Sequence, residues 1–282
     1  MEEARIGELG EELLTRKIEE DQSFADKLRR CIKDLTGIEL VGKITAIRGR
    51  KLGLWKTDLL LIDQRRQQIG ISLKTVKKGG RPDDHLDRRW LDRRGRRAKP
   101  WTEVLNMPET VREILHTGIL RMARGESNQL VPPQYQAIIR DFFRNVLSKF
   151  LNEAFRNEEN VLRLFAVLEY DDRLYLCLFD IDEIIKFIEK DVKRRGITFG
   201  SRINIGKYIQ VQRKAGDGKH VKIPKDDPRH PGNQLQVKVM ARDLRDDAIK
   251  SGVKHCCFRI DVEFSSKQRT LFEYIKESTT HY

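Results

Sequence analysis

The sequence has no apolar run of the ~18 residues that a membrane span requires, so it predicts no transmembrane helix. Its first ten residues, MEEARIGELG, are acidic and helical in character and lack the hydrophobic core of a secretory signal. Cysteine is scarce. The four that occur, Cys31, Cys177, Cys256 and Cys257, show none of the CxxC spacing of a zinc ribbon. They read as small buried hydrophobes in a reduced, cytoplasmic setting. The six histidines have no metal-ligand spacing either. His220 and His230, near Pro231-Gly232-Asn233, match a His-Asn-His nuclease motif only superficially. No internal repeat or low-complexity linker divides the chain.

Positive charge is what the chain has in excess. Its 282 residues carry 56 Lys+Arg against 43 Asp+Glu, a formal charge of +13, and 39% are hydrophobic, enough for a sizeable core. Such an excess points to a polyanionic partner, because each Lys or Arg that meets a phosphate releases condensed counterions. Charge alone does not separate DNA from RNA or from a membrane surface.

Periodicity predicts one or two helices over residues 3–35 and strands at Ile38–Ile47, Thr57–Asp63 and Gln68–Val76. The polar link 64–67 makes the last two a hairpin. The stretch Lys77–Lys99 reads as a basic loop, with Lys77, Lys78, Arg93, Arg94, Arg96 and Arg97 as candidate phosphate contacts near Trp90 and Trp101. Helices follow at Thr102–Ala123 and Tyr135–Arg156, strands at Val161–Tyr170 and Leu174–Phe179, and a helix at Ile181–Arg195. The C-terminal part offers strands at Ile203–Lys214, Gln234–Met240 and His255–Phe264.

A turn centred on Arg65 and Arg66 places Asp58 within about one position of Ser72, Leu73 and Lys74. Strand alternation then sets Ser72 and Lys74 on one face, with Ile71 and Leu73 pointing into a core. A carboxylate and an ammonium meeting there suit phosphodiester hydrolysis: the first holds a divalent metal, the second offsets charge in the transition state. By spacing alone, the same pair also suits a surface ion pair. Further on, Asn204, Tyr208, Gln210, Gln212 and Lys214 alternate with Ile203, Ile205, Ile209 and Val211. Gln236 and Lys238 alternate likewise with Leu235, Val237 and Val239. A two-stranded ribbon of this kind fits a DNA major groove, although a half-exposed sheet shows the same pattern. Arg213 falls on the inward parity and needs a twist or bulge to reach a base.

The order of a Gly/Glu helix, an Asp and then x-x-Lys on the next strand resembles the PD-(D/E)XK nuclease superfamily. Lys56-Thr57-Asp58 with Ser72-Leu73-Lys74 resembles, more narrowly, its type II restriction endonucleases that cut four-base palindromes, of the MspI and HinPI kind. The block from Gly200 to Asp217, with Leu235–Lys238, looks like the base-reading β-ribbon of the GCGC-cutting member, and the likeness runs from Lys56 to Met240. It implies a restriction-endonuclease-like α/β fold: a mixed central sheet flanked by helices, with a C-terminal β-ribbon lobe. Residues 1–200 would form the catalytic core and 201–282 the recognition ribbon and tail, within one globule.

The implied reaction is Mg2+-dependent, site-specific cleavage of double-stranded DNA, leaving 5′-phosphate and 3′-hydroxyl ends. A companion DNA methyltransferase would protect the host, and monomer and homodimer both stay open. Asp58 is then a metal ligand, Lys74 the motif lysine and the Leu73 carbonyl a further donor. Ser72 stands where most of the superfamily carries an acid, a departure that leaves one carboxylate missing. The segment Gly7–Glu12 resembles the superfamily's Gly/Glu helix, and Glu11, ahead of Glu8 and Glu12, is the candidate to supply it. Two other readings remain: a structure-selective repair nuclease of the same fold, and a non-catalytic DNA-binding protein in which Ser72 marks a dead site.

Overall fold

The computed structural model describes residues 2–79, 82–95, 98–170, 174–216 and 221–261. Two helices open the chain, α1 (Glu2–Glu20) and α2 (Gln22–Thr36). They separate at Asp21, whose carboxylate caps α2 by accepting from the Phe24 amide at 2.9 Å. Three strands follow, β1 (Thr45–Arg48), β2 (Leu59–Ile62) and β3 (Gln68–Lys77), then β4 (Asp84–Arg89). Four helices come next: α3 (Trp101–Val104), α4 (Glu109–Arg124), α5 (Gln136–Asn145) and α6 (Leu147–Arg156). After them run β5 (Leu162–Tyr170), β6 (Leu174–Asp180), α7 (Ile181–Arg195), β7 (Ile197–Phe199), β8 (Ile203–Ile205) and β9 (Ile209–Arg213). The last described elements are β10 (Leu235–Val239), α8 (Ala241–Lys250) and β11 (His255–Ile260).

These strands form two sheets. The six-stranded sheet has the order β1-β2-β3-β5-β6-β11 and is mixed, because β3 and β5 run parallel while the other neighbours are antiparallel. The five-stranded sheet, β4-β10-β9-β8-β7, is antiparallel throughout. The two halves of the chain exchange strands: β4 joins β10 in the smaller sheet, and β11 joins β6 in the larger.

Helices α1 and α2 bury Leu13, Ile18, Leu28 and Ile32 against Leu59, Leu61, Ile71 and Leu164 on one face of the larger sheet. Gly10 allows the close approach, since a Cβ there would come within 2.7 Å of Thr75 Oγ1. On the opposite face, Val76, Phe165, Val167 and Phe179 share a single core with α4–α7 and the inner side of the smaller sheet. The larger sheet is therefore covered on both faces. Among the described residues, no helix is long and apolar enough to cross a membrane.

Several sequence expectations change. The strand expected over Ile38–Ile47 shortens to β1, because Gly42 turns the chain at φ 71°. The helix expected over Tyr135–Arg156 breaks at Val146 into α5 and α6. Ile203–Lys214 folds back at Gly206 (φ 63°), so one long strand becomes the β8–β9 hairpin. The expected two-stranded ribbon is the middle of a sheet, since β10 pairs with β4 as well as β9, and β4 lies in the stretch read as a loop. The last strand is seen to Ile260, and the end of the expected span lies outside the described residues. The cysteines are not free thiols: Cys31 pairs with Cys256, and Cys177 with Cys257. The cause is topological, because β11 lies beside β6 with Cys257 opposite Cys177, while its neighbour Cys256 reaches α2.

Candidate active site and nucleic-acid interface

The β2–β3 turn is closed by Asp63, whose amide donates to the Gln67 carbonyl at 3.1 Å and whose carboxylate accepts the Gln67 amide at 2.8 Å. This fixes Leu59 opposite Ile71 and places Asp58 one step further, where its amide donates to the Ile71 carbonyl at 2.9 Å. Asp58 Oδ2 accepts from the Leu73 amide at 2.6 Å and the Ser72 hydroxyl at 3.4 Å, and lies 3.7 Å from Lys74 Nζ. Ser72 is 2% exposed and Lys74 8%, while the Asp58 side chain keeps 25% exposure, so the lysine is buried and the carboxylate forms the open side of the pair. Burial raises the Asp58 carboxyl above the ordinary aspartate value; the Lys74 charge and Leu73 amide oppose that rise, and Asp84 nearby adds to it.

Glu11 reaches the same place from α1. Its carboxylate accepts from Arg48 Nε at 2.8 Å, and its pKa is raised by burial, against the Arg48 hydrogen bond and with the Asp58 charge adding to the rise. Glu8 turns instead to Arg50, at 2.5 Å, and Glu12 is exposed. The structure therefore brings Asp58, Ser72, Leu73 and Lys74 together, with Glu11, held by Arg48, near enough for the two carboxylate charges to act on each other. Among the described residues, no three His, Cys, Asp or Glu side chains converge closely enough to enclose a metal by themselves. Two neighbouring carboxylates are nonetheless a hard-oxygen donor set of the kind Mg2+ uses, with water and substrate phosphate completing the shell.

Behind Asp58 lies a buried charge network with no counterpart in the sequence expectations. Glu159 accepts from the amides of Trp55 (2.5 Å), Lys56 (2.9 Å) and Thr57 (2.8 Å) and from the Thr57 hydroxyl (2.7 Å), pinning the segment that enters Asp58. Lys56, 5% exposed, donates to Asp87 Oδ2 at 2.5 Å and to the Leu86 carbonyl at 2.8 Å. Asp87 also accepts from Arg89 (2.7 and 3.0 Å), and Arg89 reaches Glu153 at 2.8 Å and sits 4.2 Å above the Trp101 ring. Burial lowers the Lys56 pKa to about 8, with Asp87 opposing. Arg89 reads in sequence as one more residue of a basic stretch. Only the fold shows it to be internal.

No family model matches the chain, and no curated protein does. Among solved structures, restriction endonuclease MspI in complex with its cognate DNA is similar over 84% of this chain and 90% of that one, at a TM-score of 0.54 and 11% identity. The chain has the restriction-endonuclease-like fold. At that identity the likeness lies in the arrangement of elements. Asp58 immediately precedes β2 and Lys74 lies on β3, the second and third strands of its central sheet.

Beside this restriction-endonuclease-like core, the expected nucleic-acid contacts divide. Lys77 is half-buried at the end of β3, and Lys78 is exposed. Arg93 is exposed over Trp90, and exposed Arg94 pairs with Glu103 at 3.2 Å. Arg96, Arg97 and His220 lie outside the described residues. On the outer face of the smaller sheet, Gln212 donates to Gln236 at 3.1 Å, and Lys238 to Asp83 at 2.5 Å. Gln210 accepts from Arg202, and Asn204 donates to Thr198 at 3.4 Å. Lys214 is half-buried, and Arg213 donates to Asn233 at 2.8 Å, tied back by that bond.

Tyr208 does not belong to that face. It is 2% exposed, its hydroxyl donates to Asp247 at 2.9 Å, and its ring lies beside Phe187. Strand parity failed here because residues 206–208 form the β8–β9 turn. His230 is buried and accepts from the Gly232 amide, a structural role. Sequence reasoning missed His85 and Arg88, which β4 adds to the outer face opposite Lys238 and Gln236. Asp84–Arg89 carries no alternation that could have shown this, because four of its six residues are charged and Leu86 and Asp87 are both buried.

Proposed function

We propose that the protein is a magnesium-dependent endonuclease that hydrolyses duplex DNA at a specific sequence, a type II restriction enzyme of the four-base-cutting kind. The observation that carries this reading is the pairing of half-buried Asp58 with buried Lys74, 3.7 Å apart on a restriction-endonuclease-like hairpin, with Glu11 close enough to feel the Asp58 charge. Asp58, Glu11 and the Leu73 carbonyl would hold the cation. Magnesium there supplies Lewis-acid polarisation of the phosphate and a water of lowered pKa. Lys74 would donate a hydrogen bond to an attacking water and offset the negative charge that grows on the phosphate oxygens. Asp84 stays close enough to add to the field that the cation neutralises.

Support for DNA as substrate comes from the charge of +13 and from the exposed Arg88, Arg93 and Arg94. The structurally similar MspI was solved with its cognate DNA, which favours the same class of partner. Such an enzyme works beside a methyltransferase that protects the host's own sites. A second reading, a DNA-binding protein that does not cut, is favoured by Ser72 in the place of an acid.

A digest of long duplex DNA separates these readings. Discrete bands with Mg2+ and intact DNA in EDTA are the expected result. A smear or structure-dependent nicks would indicate a nuclease without sequence choice. Binding without cutting would establish the non-catalytic reading, and cutting undiminished by EDTA would remove the metal from the mechanism.

The basic stretch gives a separate prediction. Replacing Arg93, Arg94, Arg96 and Arg97 with Ala weakens binding to all sequences about equally. For every phosphate that these side chains no longer neutralise, the slope of log affinity against log salt flattens by about 0.9. Gel shifts across a salt series measure this, and an unchanged slope would show that the stretch does not meet phosphate.

A further inference from the structure

The pairing of β4 with β10 slips by one residue. Arg88 lies opposite Gln236 and Asp87 opposite Val237, yet His85, not Leu86, lies opposite Lys238. Leu86 is the extra residue of a β-bulge. A bulge changes which face the following side chains take. Regular alternation from Arg88 would put Leu86 outside and His85 inside. With the bulge, Leu86 and Asp87 are both buried, and His85 joins Arg88 on the exposed outer face.

Both bulge residues are held by one side chain. Lys56 Nζ donates to the Leu86 carbonyl at 2.8 Å and to the Asp87 carboxylate at 2.5 Å. Lys56 is two residues from Asp58, in the segment that Glu159 pins. On the outer face the His85 ring belongs to a line of side chains crossing three strands. Gln212 Nε2 donates to Gln236 Oε1 at 3.1 Å, and Gln236 Nε2 lies 2.6 Å from His85 Nδ1. In the tautomer where that amide donates and Nδ1 accepts, a neutral ring carries its proton on Nε2. An imidazole N–H donor suits purine N7 or guanine O6, the acceptors that the major groove displays.

We propose that His85 reads a purine edge in the DNA, and that Lys56 is the positioning residue that holds the Leu86 bulge presenting it. The proposal rests on the reading of the protein as a sequence-specific DNA enzyme. It adds a physical tie between base choice and cutting, because one lysine fixes the strand that reads and the segment that carries Asp58. The neighbouring Asp84, whose charge acts on Asp58, shows how near the start of β4 comes to the hydrolytic carboxylate.

The test uses the full chain and measures discrimination twice: by equilibrium binding in EDTA and by single-turnover cleavage in Mg2+. The probes are the preferred duplex and each of its single-base-pair variants. His85→Ala is expected to reduce discrimination at one base pair by about 5- to 150-fold, the range of one good base contact. Lys56→Met is expected to relax that same base pair and also slow cleavage, and Lys56→Arg to restore part of both. His85 is exposed, so its variant reports even if Lys56→Met fails to fold.

Unchanged discrimination at every base pair in His85→Ala overturns the assignment of His85. Lys56→Met that slows all sites equally with selectivity intact overturns the coupling. Wild-type protein that binds selectively but does not cut removes the nuclease reading, while the binding measurements still decide His85. Wild-type binding with no sequence preference overturns the proposal together with the restriction reading.

Discussion

Asp58→Ala and Lys74→Ala should each lower the single-turnover cleavage rate by about 10²–10³-fold or more, with duplex affinity nearly unchanged. Both groups act on charge that develops only in the transition state, so their loss falls on the rate. Affinity comes instead from phosphate contacts spread over a protein of net charge +13. Ser72→Ala should be milder than either, since a neutral hydroxyl 3.4 Å from Asp58 Oδ2 is a poor ligand for a hard cation. Glu11→Ala belongs in the same panel. A strong loss there supports Glu11 as the donor of the missing carboxylate, and wild-type rates from the Asp58 and Lys74 variants would end the assignment of the site.

The same panel has a pH signature. Burial raises both carboxyls, Asp58 from 3.8 and Glu11 from 4.5. Each must be ionised to hold a cation, so at limiting Mg2+ the rate should climb with pH beyond the ordinary carboxylate range, and saturating Mg2+ should move that rise to lower pH. Stability runs the other way. A carboxyl whose folded pKa exceeds its unfolded value binds more protons in the folded state, so metal-free protein loses stability as pH rises between the two values. Asp58→Asn removes that loss and should melt above the wild type at neutral pH without metal.

The hairpin was legible in the sequence because its determinants are local. Two apolar strands flank a polar turn, and the register follows from where that turn is centred, which placed Asp58 against Ser72 and Lys74. The outer face of the smaller sheet was partly legible for the same reason: Gln210, Gln212, Gln236 and Lys238 alternate with Ile209, Val211, Val237 and Val239. Alternation fails where the chain turns, and that moved Tyr208 to the wrong face. It fails again at a bulge, where His85 and Leu86 exchange sides. β4 was invisible because Asp87 and Arg89 neutralise each other inside the protein, while a sequence shows only that both are charged. The cysteine pairs, separated by 225 and 80 residues, depend on where β11 docks, and local spacing carries no trace of that.

The buried network makes the largest prediction for stability. Asp87 is fully enclosed and serves two cations, Lys56 and Arg89. Asp87→Ala leaves both without that carboxylate. Arg89 keeps Glu153, but among the described residues the Lys56 ammonium keeps only the Leu86 carbonyl and the ring of Trp55. Breaking a buried pair by deleting one partner typically costs about 3–5 kcal/mol, most of it the desolvation of the charge left behind. For a chain of this size that corresponds to a fall in Tm of roughly 5–15 °C, measurable by calorimetry. Asp87→Asn should lie between, since the amide oxygen still accepts a hydrogen bond while the charge is lost. The double variant Lys56→Met/Asp87→Ala should be less destabilised than the sum of its single variants, because the stranded ammonium goes with its partner. Strict additivity, or a melting temperature for Asp87→Ala within about a degree of the wild type, would mean that water or a shift of β4 resolves the charge. In that case Lys56 could not be holding the bulge through Asp87, and the Leu86 carbonyl would be its one remaining grip on the reading strand.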